Sequence, residues 1–297
     1  MGLAPGCLFC ELRCQGILLE NHGSKKGWFD IFMNKEIEGY MDMIFDTHAH
    51  YDDEAFEEDR EELLASMAGA GIGKITNIAA DLNSCKTTKE LMDRYEFIYG
   101  AFGVHPNNVE HLTDADLLWI KELCGHEKCV AVGEIGLDYY YDEPEREVQK
   151  IWFGKQLELA KEVSLPVVIH SRDAAKDTID LMKEHHAEEI GGVIHCYSYS
   201  KESAAIFLNM GFYIGIGGVL TFKNGVKLKE VASYVPMDRI VLETDCPYLA
   251  PAPNRGKRNS SLYLPYVVEA LAEIKGISPE EVRRITWENA HRLYHLV

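Results

Sequence analysis

The chain has 297 residues, of which 46% are hydrophobic and 26% charged, an ordinary composition for a soluble globular protein. No stretch approaches the roughly 20 apolar residues that a membrane-spanning helix needs, and no charged segment followed by an apolar core and a small-residue cleavage site opens the chain, so secretion is not indicated. The net charge of −18 argues against broad attraction to nucleic acid, although bound divalent cations and a local basic loop can reverse the sign at one place.

Residues 1–42 are rich in Gly and Cys and lack clear periodicity, and they read as a poorly ordered N-terminal extension, with Met41 and Met43 standing just before the first strand as alternative start positions. Cys7, Cys10 and Cys14 have a spacing found in metal sites, but no matching fourth cysteine follows; His22 is a distant fourth donor. The eight cysteines (these three with Cys85, Cys124, Cys129, Cys196 and Cys246) form no dense framework, and they read as reduced thiols of a cytoplasmic protein.

From residue 43 to 297, short apolar runs alternate with amphipathic segments of helical period. Strands are expected near 43–48, 74–79, 97–103, 129–134, 166–170, 192–195, 212–216 and 239–243. Helices are expected over Glu57–Ala70, Pro144–Val163 with Pro144 in its first turn, Ala174–His186 and Lys201–Asn209. Runs such as Val167-Val168-Ile169 are apolar throughout, as in a parallel sheet covered on both faces. Eight such units predict an α/β fold, a closed TIM (β/α)8 barrel, with a doubly wound open sheet as the alternative. Ser278-Pro279-Glu280-Glu281 supplies an N-cap, a proline and a capping-box glutamate for a last helix carrying Val282, Ile285 and Leu293.

Five of these strands end in residues that bind metals. The first delivers His48 and His50, which share a face because residues two apart in a strand point the same way. The fourth ends in Glu134, the fifth in His170, the sixth in His195 and the eighth in Asp245. A lone histidine after a strand is usually a polar loop residue, and a lone acid is usually a helix cap. In a barrel, however, the C-terminal ends of all strands meet at one rim, so these six groups converge. Imidazole and carboxylate without thiolate suit Zn, Mn, Fe or Co and permit Mg. Six donors exceed the three that one open catalytic ion takes, and they match two ions sharing a carboxylate. Such a pair activates water and clamps a phosphoryl group, so hydrolysis is the expected chemistry.

Several segments together resemble the TatD family of metal-dependent deoxyribonucleases: Phe45-Asp46-Thr47-His48-Ala49-His50, Gly103-Val104-His105-Pro106, Gly133-Glu134-Ile135-Gly136-Leu137-Asp138-Tyr139, Val168-Ile169-His170-Ser171-Arg172-Asp173-Ala174, His195-Cys196-Tyr197-Ser198, Leu242-Glu243-Thr244-Asp245-Cys246-Pro247-Tyr248-Leu249 and Pro253-Asn254-Arg255-Gly256-Lys257-Arg258-Asn259. The resemblance covers residues 43–297. It implies a TIM barrel with two divalent metal ions and phosphodiesterase activity on DNA, commonly 3′→5′ exonuclease action. Carried over by position, His48, His50 and Asp245 would hold one ion and His170 with His195 the other, with Glu134 bridging; Asp245 would also orient the attacking water as general base. The N-terminal extension departs from the family pattern.

Around these groups, Arg172 could reach a phosphate oxygen or form an outer salt bridge, and the cations Arg255, Lys257 and Arg258 of the loop after strand eight are read as phosphate contacts in preference to a solvated face. His105 is expected to contact substrate or line the cavity, and Glu243 to orient a ligand. Asp46 would fix a ligand histidine or cap a turn. Tyr139, Tyr140 and Tyr141 could stack on bases, although packing beneath the rim is the simpler expectation. Two other functions compete. An amidohydrolase-type barrel acting on amide, ester or lactone bonds, including an ester linkage on tRNA, commonly bridges its metals with a carboxylated lysine where this chain has Glu134. A metal-containing binding module without catalysis would tolerate loss of Glu134 and Asp245.

Overall fold

The computed structural model describes residues 43–141 and 143–296; the extension expected over residues 1–42, with its cysteines, lies outside the described residues. Eight strands pair in parallel in sequence order: β1 (Ile44–Ala49), β2 (Ile72–Ile78), β3 (Ile98–Phe102), β4 (Cys129–Asp138), β5 (Val167–Arg172), β6 (Gly192–Ile194), β7 (Tyr213–Ile216) and β8 (Ile240–Leu242). The segment after β8 returns to β1 at the rim. There the His48 carbonyl accepts the Asp245 N–H at 2.9 Å and the Cys246 carbonyl accepts the His50 N–H at 2.9 Å. The sheet is therefore a TIM barrel.

Helices alternate with the strands on the outside: α1 (Arg60–Ser66), α2 (Leu82–Arg94), α3 (Asp114–Leu123), α4 (Arg146–Val163), α5 (Ala175–Glu184), α6 (Lys201–Asn209), α7 (Val226–Tyr234), α8 (Leu264–Lys275) and α9 (Pro279–Leu293). α4 buries Trp152, Phe153, Leu157 and Ala160, while Phe45, Val130, Val168, Val193 and Val241 belong to a separate apolar cluster in the barrel interior. Covering both faces explains the continuous apolar runs. α9 carries Leu293, followed by Tyr294, against that interior cluster, and the Tyr294 hydroxyl donates to the Thr47 carbonyl at 2.7 Å. Ser278 caps α9 by accepting the Glu281 N–H at 3.2 Å, with Pro279 in the first turn.

Several expected boundaries move by a few residues, and three of these changes bear on the argument. The helix expected over Glu57–Ala70 is α1 plus a separate 3₁₀ turn over Ala68–Ala70. Pro144 stands before α4 rather than in its first turn, because Glu145 is the N-cap. The third change matters most. β4 does not stop at Glu134 but continues to Asp138, and its pairing with β5 shifts between Val132 and Ile135. Val132 faces Val167 and Ile135 faces Ile169, so β4 spends one residue more than β5 across that interval. Such a bulge re-aims a side chain without ending the strand. Beyond it, Gly136 lies at φ +146, and a Cβ there would sit 1.9 Å from the His170 carbonyl oxygen; only glycine lets the two strands stay paired.

Candidate metal centre

The two ends of the barrel seam are stapled by one buried carboxylate. Asp46 Oδ1 accepts the Thr244 N–H at 3.0 Å and the His48 N–H at 3.3 Å, and Oδ2 accepts the hydroxyls of Thr244 at 2.7 Å and Ser261 at 2.6 Å. Burial pushes this carboxyl up to about 7 despite those four bonds. The staple aligns the His48–His50 segment with the Thr244–Asp245 segment. Asp46, expected to fix a ligand histidine or cap a turn, thus meets His48 through the backbone N–H and not through the imidazole.

Above the staple, His48 Nε2 and His50 Nε2 lie 3.1 Å apart. His50 Nδ1 donates to the Ile78 carbonyl at 2.8 Å, which turns Nε2 toward its neighbour. The Glu134 carboxylate stands between two sets of imidazoles. Its Oε2 is 3.6 Å from His48 Nε2 and 3.8 Å from His50 Nε2. Its Oε1 is 2.8 Å from His170 Nδ1 and 3.6 Å from His195 Nε2. Asp245 Oδ1 closes the group at 3.4 Å from His50 Nε2, 3.7 Å from His195 Nε2 and 3.8 Å from His48 Nε2. Donors held about 2.0–2.1 Å from one ion at tetrahedral angles are themselves about 3.4 Å apart. Most of these separations fall close to that value. His48, His50 and Glu134 form one set with the spacing of metal ligands, Glu134, His170 and His195 another, and His48, His195 and Asp245 a third.

The charges of the cluster act strongly on one another. Burial alone would raise Glu134, yet its interactions with the surrounding imidazoles, His195 foremost, and the hydrogen bond to His170 hold it well below the usual carboxylate range. Asp245 is likewise lowered, its desolvation outweighed by His195 and His50. Conversely, burial disfavours charged His50 and His195, but the carboxylates around them push the two up to about 9 and about 10. His48 goes the other way, lowered by burial and by His195, whose ring stacks on it at 3.5 Å. Without a metal, protons neutralise the acids. A divalent cation can take their place with better geometry, since neutral imidazoles and ionised carboxylates are its ligands. The donor set fits Zn, Mn, Fe or Co.

Groups behind the cluster hold the imidazoles. Glu243 Oε2 lies 3.3 Å from His195 Nδ1, and its Oε1 accepts the Cys196 N–H at 2.6 Å. Gly215 permits this approach, as a Cβ there would meet Glu243 Oε2 at 2.3 Å. Asp138 is the residue that sequence reasoning missed. Its Oδ2 accepts from His170 Nε2 at 3.2 Å. Its place follows from the continuation of β4 past Glu134, which a strand expected over 129–134 does not include.

The expected substrate contacts divide. His105 lines the cavity of about 530 Å³ that opens onto His50, Glu134, His170, His195 and Asp245. Its Nδ1 accepts the Asn107 N–H at 3.2 Å, and burial lowers its pKa to about 3, so the neutral ring carries its proton on Nε2. Neither Arg172 nor Arg255 lines that cavity. Arg255 is exposed and stacks on Phe222 at 4.4 Å. Arg258 is engaged elsewhere: it forks onto Asp59 at 2.7 and 2.5 Å, bonds the Ala55 carbonyl at 2.7 Å and covers Phe56. It anchors the loop instead of facing the cluster. Tyr139 is packed, with its hydroxyl on Asp177 at 2.8 Å.

Imidazoles and acids gathered on the C-terminal rim of a closed barrel define the class of metal-dependent barrel hydrolases. A family model described as TatD related DNase matches residues 45–295. The chain belongs to this TatD family. The metal-dependent hydrolase YabD of Bacillus subtilis is 45% identical over 254 residues, covering 86% of this chain and 100% of YabD. The metal-dependent hydrolase YcfH of Escherichia coli is 36% identical over 256 residues, covering 85% and 96% of the two chains. Among solved structures, the TatD homologue YjjV of Escherichia coli superposes with a TM-score of 0.81 at 32% identity, covering 86% of this chain and 100% of that one. The protein is a metal-dependent hydrolase of this family, and no helix among the described residues is long and apolar enough to cross a membrane.

Proposed function

We propose that this hydrolase cleaves phosphodiester bonds of DNA, removing nucleotides in the 3′→5′ direction with two divalent cations. The observation that carries the reading is the Glu134 carboxylate, one oxygen of which faces His48 and His50 while the other faces His170 and His195. His48, His50 and Asp245 would hold one cation and His170 with His195 the other, with Glu134 shared. When bound, such ions polarise a phosphoryl oxygen and bring the pKa of water toward neutrality.

The protein's own groups have separable tasks. Asp245 stays ionised in the cavity, with its side chain 18% exposed, so it can accept the proton of an attacking water. His105 presents Nε2–H to the same space and can donate to a nonbridging phosphate oxygen. Arg172 and Arg255, exposed at the rim, supply charge for the flanking phosphates of a longer strand. The cavity also carries Asp52, Asp53, Glu54 and Asp81. A polyanion therefore approaches only once cations reverse the local sign. Five free cysteines among the described residues suit a reducing, cytoplasmic setting.

The family description supports DNA as the substrate, and Glu134 in place of a carboxylated lysine argues against the amide or lactone reading. The test is manganese-loaded protein on 5′-labelled single-stranded DNA. Stepwise shortening from the 3′ end is expected, and Glu134→Ala should abolish it while the variant still folds. Intact DNA together with turnover of an amide, ester or lactone would replace this reading. Full activity in Glu134→Ala would remove the shared carboxylate from it.

A further inference from the structure

The rim above the metal cluster continues along β4 and β5 into an exposed aromatic platform. Arg172 lies two residues beyond His170 on β5, so both project from the same face of the strand, and Asp138 is its partner on β4. The guanidinium carbon of Arg172 sits 3.8 Å from the centre of the Tyr140 ring and 5.4 Å from that of Tyr141. The two rings meet edge to face at 5.0 Å. Of three consecutive tyrosines, Tyr139 is tied down through Asp177, whereas Tyr140 is 58% and Tyr141 63% exposed.

This platform is built into the site. Asp138 Oδ1 accepts the backbone N–H of Tyr140 at 2.9 Å and of Tyr141 at 3.4 Å, while Oδ2 receives His170 Nε2 at 3.2 Å. Gln149 clamps Asp138 on both sides, accepting its N–H at 2.8 Å and donating to its carbonyl at 2.9 Å. One buried carboxylate thus sets the position of a candidate metal ligand and of the two exposed rings together.

We propose that Tyr140, Tyr141 and Arg172 form a stacking subsite for one unpaired nucleobase of the nucleotide that flanks the cleaved bond. The proposal rests on the phosphodiester reading above. Aromatic faces accept any base, which gives binding without sequence preference. A base inside a duplex has its faces covered by its neighbours, so the platform selects single strands and frayed ends. Arg172 supplies a cation whose flat face is already stacked and whose N–H edges suit the adjoining phosphate.

The experiment measures KM for manganese-dependent hydrolysis of a short 5′-labelled oligodeoxythymidine. Combining Tyr140→Ala with Tyr141→Ala should raise KM between about fivefold and about a hundredfold, and the corresponding pair of Phe substitutions should restore it. An abasic residue is then placed on each side of the cleaved bond in turn. In the wild-type protein one of these substrates should show the same loss, and in the double-alanine variant that substrate should show no further loss. An unchanged KM in the double-alanine variant, or abasic and alanine losses that multiply, would overturn the platform while hydrolysis itself persists. A wild-type protein that leaves the oligonucleotide intact would overturn the phosphodiester reading instead.

Discussion

His170 and Asp138 are joined by a hydrogen bond of 3.2 Å from imidazole Nε2 to carboxylate Oδ2, and this bond decides which nitrogen of His170 is offered to a metal. With Nε2–H committed to Asp138, Nδ1 faces Glu134 Oε1 at 2.8 Å. A carboxylate behind a ligating histidine fixes the tautomer and raises its basicity. Asp138→Asn keeps the shape and removes the charge. Its expected effect is a loss of about ten- to a hundredfold in affinity for the cation that His170 would hold, read by calorimetric titration of the metal-free protein with Mn²⁺. Unchanged affinity for both cations would relieve Asp138 of this role.

The staple at Asp46 makes a separate prediction, on stability. Asp46→Ala strands two buried hydroxyls and two backbone N–H groups that now bond to its oxygens. Each unsatisfied buried group costs about 1–3 kcal/mol. Partial rearrangement of the hydroxyls leaves a net loss of about 3 kcal/mol or more, measurable by urea unfolding. Because the staple aligns His48 with Asp245, the variant should also bind metal more weakly after refolding in the same buffer. A loss below about 1 kcal/mol would show that the seam is held by other contacts.

The pH dependence of the metal-free protein follows from the same cluster. His50 and His195 are raised to about 9 and about 10 in the fold. The folded state then binds more protons than the unfolded chain, whose histidines titrate at about 6.5. Their contribution to stability is complete below that value and disappears as pH rises through 9 and 10. Glu134 and Asp245 are depressed, so their contribution holds above the ordinary carboxylate range and is lost on acidification. In EDTA, Tm should therefore decline between about pH 6.5 and about pH 10. Saturating Mn²⁺ should remove much of that decline, because the cations replace the protons. A flat Tm in EDTA over this interval would contradict the assignment.

Much of the candidate site was legible in the sequence, for a geometric reason. Parallel strands of a barrel deliver their C-terminal ends to one rim, so His48, His50, His170, His195 and Asp245 could be gathered from apolar runs alone. What the sequence hid depended on register. The fourth strand is expected to end at Glu134, but its pairing with β5 shifts between Val132 and Ile135, and β4 runs on to Asp138. The role of Asp138 therefore stayed invisible. The basic loop shows a second limit. Arg255 and Arg258 look alike in sequence, yet Arg258 meets Asp59 across 199 residues and is no longer available to substrate. Charge patterning cannot reveal a partner so remote. Pro144 carries a helix-start signal, but Glu145 takes the N-cap and leaves the proline outside α4.

The most direct test of the shared Glu134 carboxylate is a crystal structure of manganese-soaked protein, with the ions located by anomalous scattering. The expected result is two peaks about 3.5–4 Å apart, one on each side of Glu134, with His48 and His50 on one ion and His170 and His195 on the other. A single peak, or ions bound without Glu134 between them, would contradict it.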